Sequence, residues 1–199
     1  MAAFVSWRRR TGSVAAPQIV KPAAAYPGAA TGADAAAFDD PIRFLKIELE
    51  PVRMSRSMMA ATLTYRLTLS NRADVAMRGI VIAGDLTSAH GGAPIAEQMA
   101  DGATLLPDIH TLDHLGPGQS KILSGDIRLP LKEVRPIRQG TVPIFVPLTR
   151  IKLSVAGGEP TPHTFVIGKR PAQPGGRLQP FRLDTPPQTY PDIDSRPLT

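Results

Sequence analysis

The 199-residue chain contains no cysteine. That single absence excludes disulfide scaffolds, thiolate-rich zinc sites and cysteine nucleophiles, while leaving the redox compartment open. Aromatic residues are only 5 % of the chain, and the one tryptophan, Trp7, lies far from any strand pattern. The tryptophan and disulfide that pin antibody-type sandwiches are therefore both missing, and a core must come from aliphatic packing. No apolar run approaches the roughly 20 residues a membrane span needs. Proline (21) and glycine (17) are plentiful instead, about a fifth of the chain, which disfavours long helices and suits turns and short strands. The length fits one domain of ordinary size.

Catalytic signatures are missing as well. There is no Gly-x-Ser-x-Gly elbow and no Ser-x-x-Lys, and Gly118-Gln119-Ser120-Lys121 has neither the spacing nor the ending of a phosphate loop, so it reads as a hairpin turn. The carboxylate pairs Asp39-Asp40 and Glu48/Glu50 fall in a linker or on a wet strand face, where nothing would raise one pKa for general-acid work. His110 and His114, with Asp108 and Asp113 beside them, have the spacing of two metal ligands on a helix. Pro107 before them and Gly116-Pro117-Gly118 after them leave no room for that helix, so they read as two strand histidines. The sequence predicts no enzyme, cofactor or metal site.

The formal net charge is +6, spread thinly except for one run containing Arg128, Lys132, Arg135, Arg138, Arg150 and Lys152 against a lone Glu133. Nucleic-acid stripes come with stacking aromatics or a recognition helix, and this run holds only Phe145, so nucleic acid is disfavoured. A solvated strand face, or a surface for anionic lipid headgroups, fits better.

Residues 1–41 read as an alanine-rich disordered linker. Within it, the apolar stub Ala2-Ala3-Phe4-Val5-Ser6-Trp7 is followed by Arg8, Arg9 and Arg10. A secretory signal has its positive charges first, whereas apolar residues closing on Trp and then Arg are what the cytoplasmic end of a spanning helix looks like. The expectation is that residues 1–10 are the stump of a transmembrane helix in a longer natural chain, with the domain on the cytoplasmic face of the inner membrane, or in the cytoplasm if there is no anchor.

From Ile42 the pattern turns to period two, the signature of half-buried strands. Leu45, Ile47 and Leu49 alternate with Lys46, Glu48 and Glu50 until Pro51 ends the run. Leu63, Tyr65, Leu67 and Leu69 alternate with threonines, serine and Arg66, and a short polar turn at Asn71 to Val75 predicts a hairpin with the strand Met77 to Thr87. Pro94 to Ala100 is the one helical turn or two. Further strands are expected at Thr111 to Leu115, Ser120 to Leu129, Val142 to Val155 with its proline-interrupted half on an edge or in a bulge, Thr164 to Ile167 and Leu178 to Leu183. About seven strands predict an all-β, immunoglobulin-like antiparallel sandwich over residues 42–184, followed by an extended tail over 185–199.

Pro51-Val52-Arg53, Leu67-Thr68-Leu69-Ser70-Asn71, Leu115-Gly116-Pro117-Gly118, Arg128-Leu129-Pro130, Phe145-Val146-Pro147-Leu148 and Leu178 to Asp184 with Arg196-Pro197-Leu198 resemble an uncharacterised C-terminal β-sandwich domain of alphaproteobacterial, sphingomonad-type membrane proteins. The resemblance spans Ile42 to Leu198. It implies an upstream transmembrane helix ending in Trp and Arg, as in Trp7 to Arg10, and no catalytic set. The expected function is a non-catalytic protein-interaction or structural module near the inner membrane, with its contacts along the edge holding Pro143 and Pro147, along the tail or at the basic run. The alternative is a carbohydrate- or small-ligand-binding sandwich using aromatic platforms such as Tyr65 and Phe145.

Overall fold

A computed structural model describes residues 41–173 and 175–198. The expectations placed on Trp7, Arg8, Arg9 and Arg10 and on the linker before Pro41 lie outside those residues.

The chain is all-β. After a 3-10 turn at Pro41–Phe44 come β1 (Leu45–Arg56), β2 (Ala60–Asn71), β3 (Met77–Ser88), the single helical turn α1 (Ile95–Gln98), β4 (Asp108–Leu115) and β5 (Ser120–Pro130). A second 3-10 turn, Leu131–Glu133, leads to β6 (Ile137–Gln139), β7 (Val142–Phe145), β8 (Pro147–Ser154), β9 (Thr161–Lys169), β10 (Phe181–Arg182), β11 (Gln188–Tyr190) and β12 (Ile193–Leu198). They form three antiparallel sheets in the orders β11-β1-β2-β5, β12-β9-β8-β3-β4 and β10-β7-β6.

The two larger sheets make a sandwich-like core because their alternating apolar faces meet. Leu63, Tyr65, Leu67 and Leu69 of β2 are sealed from solvent together with Ile80, Ile82 and Leu86 of β3, Ile151 and Leu153 of β8, and Phe165 and Ile167 of β9. Each fully buried aliphatic side chain contributes about 1.5–3 kcal/mol, which is how a core without tryptophan or disulfide is held. The small third sheet adds Phe145 and Phe181, whose ring centroids lie 6.3 Å apart, and Phe181 meets Tyr190 of β11 edge-on at 4.9 Å.

Several local expectations are corrected. Among the described residues there are twelve strands, not about seven, because the loops and the proline-rich tail pair as well. β2 and β3 do not form a hairpin: they lie in different sheets and face each other across the core. Their short connection is an arch held by Asn71, whose buried side-chain amide donates to the carbonyls of Val75, Leu115 and Gly116 at 2.9–3.1 Å while its oxygen accepts the Ala73 N–H. Pro51 does not end β1; the strand continues through a register shift between Pro51 and Arg53, and a bulge is one of the few places where a proline fits a ladder. The run Val142 to Val155 is two strands in two sheets, broken at Val146. Neither half is an edge, since β7 lies between β10 and β6 and β8 between β9 and β3. Pro147 is tolerated as the first residue of its strand.

The tail is extended, as its prolines suggest, and is part of both main sheets. β11 pairs with β1 through Met54↔Tyr190, and β12 pairs with β9 along six residues. Arg56, 8 % exposed, pins the turn into the tail by donating to the carbonyls of Thr185 and Pro186 and to the Thr185 hydroxyl.

Candidate functional site

The six cations of the expected basic surface do not form one stripe. Arg150 is neutralised by a two-pronged ion pair with Asp85 on the adjacent strand, which holds its guanidinium in the charged form and raises its pKa. Lys152 donates to the Thr104 carbonyl at 2.6 Å. Arg128 is exposed on the outer face of its sheet opposite Thr62, and Arg138 is exposed on β6 opposite Pro143. Only Lys132 and Arg135 converge, on a groove of about 510 Å³ that they line with Thr87, Ser88, His90 and Glu133.

The groove is built by two loops leaving β3 and β5. Ser88 ends β3 and its hydroxyl donates to the Arg135 carbonyl at 3.0 Å, tying the loops together. Gln98, buried on α1, closes the 90–93 loop: its oxygen accepts the His90 N–H and its amide donates to the carbonyls of His90 and Ala93, all at 2.8 Å. Within that loop Nδ1 of His90 accepts the Gly92 N–H at 3.2 Å. Nε2 lies 3.3 Å from the Arg135 guanidinium, which can only donate, so the ring accepts from Arg135 in one neutral tautomer and from Gly92 in the other. An oxyanion at the groove mouth would accept from Arg135, with Lys132 beside it.

A second feature is the free edge of β5. Pairing of β2 with β5 is unbroken from Ala60↔Pro130 to Ser70↔Ser120. Just beyond each end, the Leu131 N–H donates to the Met59 carbonyl and the Asn71 N–H to the Gln119 carbonyl, both at 2.9 Å. Hydrogen-bonded pairs alternate in an antiparallel ladder, so the odd-numbered residues of β5 bond β2 and the even-numbered ones turn their backbone groups outward. Ile122, Ser124, Asp126 and Arg128 therefore present N–H and C=O groups along the edge, and no backbone partner on that side occurs among the described residues. β5 packs against β3 and β4 of the facing sheet, and where the β4 and β5 edges converge there is a cleft of about 450 Å³ lined by Leu112, His114, Gln119 and Lys121 among others.

The histidines of β4 part company. His110 is half-buried and its Nε2 lies 2.9 Å from the hydroxyl of Tyr65, the two rings meeting edge-on, so that the pair bridges the two sheets. Burial lowers the His110 pKa and raises that of Tyr65 to about 12, the nearby Asp126 charge adding to the latter. His114 is exposed in the β4/β5 cleft. Among the described residues no three His, Asp or Glu side chains are grouped to hold a metal ion. Tyr65 and Phe145 are each 1 % exposed and are core residues, out of reach of a sugar ring.

Two of these features escaped the sequence reading. His90 sits in the loop His90-Gly91-Gly92, and its groove depends on Gln98 and Arg135, 8 and 45 residues away. The open edge of β5 follows from sheet order, which period-two patterning does not carry. Compared with protein-family models, with curated proteins and with solved structures, the chain matches none. Among the described residues no helix is long and apolar enough to cross a membrane.

Proposed function

We propose that the domain is a non-catalytic, immunoglobulin-like β-sandwich that works as a protein-interaction module near the inner membrane, on its cytoplasmic face, taking an extended partner segment along β5. The observation that carries this reading is the eleven-residue β5 edge, with the outward backbone groups of Ile122, Ser124, Asp126 and Arg128 unpaired among the described residues. A strand added there gains main-chain hydrogen bonds, and the β4/β5 cleft offers a pocket for one of its side chains. Ile122, 60 % exposed, supplies an apolar contact. The exposed charges Lys121, Asp126 and Arg128 oppose indiscriminate edge-to-edge pairing and favour a partner with complementary charge. Nearness to the membrane rests on the Phe4-to-Arg10 pattern and on the resemblance to membrane-anchored domains.

The test is a pull-down from membrane extract with the full chain as bait, run beside Ser124→Pro. Proline at 124 removes an outward N–H without touching the β2 ladder, so the variant keeps its fold and loses the edge. A protein retained by the parent and lost by the variant is expected. No protein above background, or equal retention by both, would overturn the proposal.

A further inference from the structure

The β1–β2 hairpin ends in Ser57-Met58-Met59, with Met58 76 % and Met59 80 % exposed. The tip is rigid rather than frayed: the Ser57 N–H donates to the Ala60 carbonyl, and the Ser57 hydroxyl accepts the N–H groups of Met59 and Ala60 at 3.0–3.1 Å. Two large apolar side chains are therefore held out in water by a preformed turn. The Met59 carbonyl also accepts the Leu131 N–H, which places the tip against the turn that carries Lys132 into the basic groove. That groove holds two cations, Lys132 and Arg135, and one acid, Glu133. Arg135 and His90, 3.3 Å apart, line the same groove.

We infer that this end of the sandwich docks on an anionic phospholipid bilayer. Met58 and Met59 enter the boundary between headgroups and acyl chains, and Lys132 and Arg135 take the headgroup phosphates. Two observations select a bilayer over a protein as the occupant. The apolar part is a projecting tip of two residues, far smaller than the roughly 800 Å² per partner that a stable protein interface buries. Cations flank the tip, as needed where a bilayer presents phosphate around its apolar interior. The surface is separate from the β5 edge, so it stands or falls independently of the protein-interaction proposal.

The absence of cysteine makes the test direct. Met58→Cys in the full chain, labelled with an environment-sensitive fluorophore, is titrated with vesicles of phosphatidylcholine alone and with vesicles containing phosphatidylglycerol. Leu105→Cys serves as the control. Leu105 is 94 % exposed, and it lies beside Thr104, whose carbonyl holds Lys152 opposite Ala83. That point is five residues along β3 from Ser88, roughly 15 Å from the groove end. The expected result is a blue shift at position 58 with anionic vesicles only and none at position 105. Adding Lys132→Ala and Arg135→Ala should weaken vesicle binding about 25-fold, roughly five-fold for each cation removed. No shift at position 58, an equal shift at 105, or a shift at 58 unchanged by loss of the two cations would overturn the inference. Because the probe reports its own surroundings, binding through residues 1–10 does not imitate the expected pattern.

Discussion

Replacing Tyr65 with phenylalanine should reverse the sign of its effect on stability between neutral and strongly alkaline pH. Tyr65 is 1 % exposed and its hydroxyl bridges the sheets to His110 at 2.9 Å. At pH 8 the variant loses that hydrogen bond and should be about 1 kcal/mol less stable than the parent. The parent, however, carries a phenol whose pKa is raised from 10.0 to about 12, chiefly by burial. A group held in its neutral acid form by folding stabilises the native state below its unfolded pKa, and this contribution disappears as pH climbs from about 10 to about 12. Two pKa units amount to about 3 kcal/mol. At pH 12, the folded pKa, a little over 2 kcal/mol of that is already lost, so the parent should be less stable than Tyr65→Phe by about 1 kcal/mol. Urea unfolding of both proteins at matched pH values from 8 to 12 reads the difference, and the titration of lysines and other groups common to both cancels. A difference that stays constant across the range would mean that the Tyr65 hydroxyl meets water, and it would refute both the sealed core and the bridge.

On the acid side, burial lowers the pKa of His110 and of His163. Since the unfolded chain then binds protons that the folded one does not, stability should decline progressively as pH falls below about 6.5, and a His110→Gln, His163→Leu variant should show a flatter urea midpoint over that window. Asn71→Ala removes a side chain that bonds three carbonyls, in the β2–β3 arch and at the end of β4; a loss of about 3 kcal/mol by urea unfolding is expected, and less than 1 would show that the arch holds without it. Arg56→Met should leave the main sandwich folded but release the tail, seen as faster amide exchange at Gln188 to Tyr190 with protection on β2 unchanged.

The sequence was most informative where the two faces of a strand differ most. β2 was legible residue by residue because Leu63, Tyr65, Leu67 and Leu69 alternate with polar neighbours, and β5 was placed to within one residue. Sheet membership was not legible. The turn after Asn71 is equally compatible with a hairpin and with an arch, and the distinction rests on an asparagine bonded to carbonyls 44 and 45 residues further on. Prolines misled in both directions. Pro51 sits in a bulge and Pro147 starts a strand, so neither terminates nor marks an edge. The basic run illustrates the same limit for function: Arg150 and Lys132 belong to one run yet have opposite fates, because Asp85 pairs with the first while the second lines an open groove. Strand registers, not spacing along the chain, decided which cations stay available.

Availability of the β5 edge is what the interaction proposal depends on, and residue-resolved amide hydrogen exchange on the full chain measures it. An open edge gives an alternation, with Ile122, Ser124, Asp126 and Arg128 exchanging orders of magnitude faster than Leu123, Gly125, Ile127 and Leu129, whose N–H groups bond β2. Uniform protection of all eight amides would mean that the edge is already occupied in the free protein, and would overturn the interaction proposal.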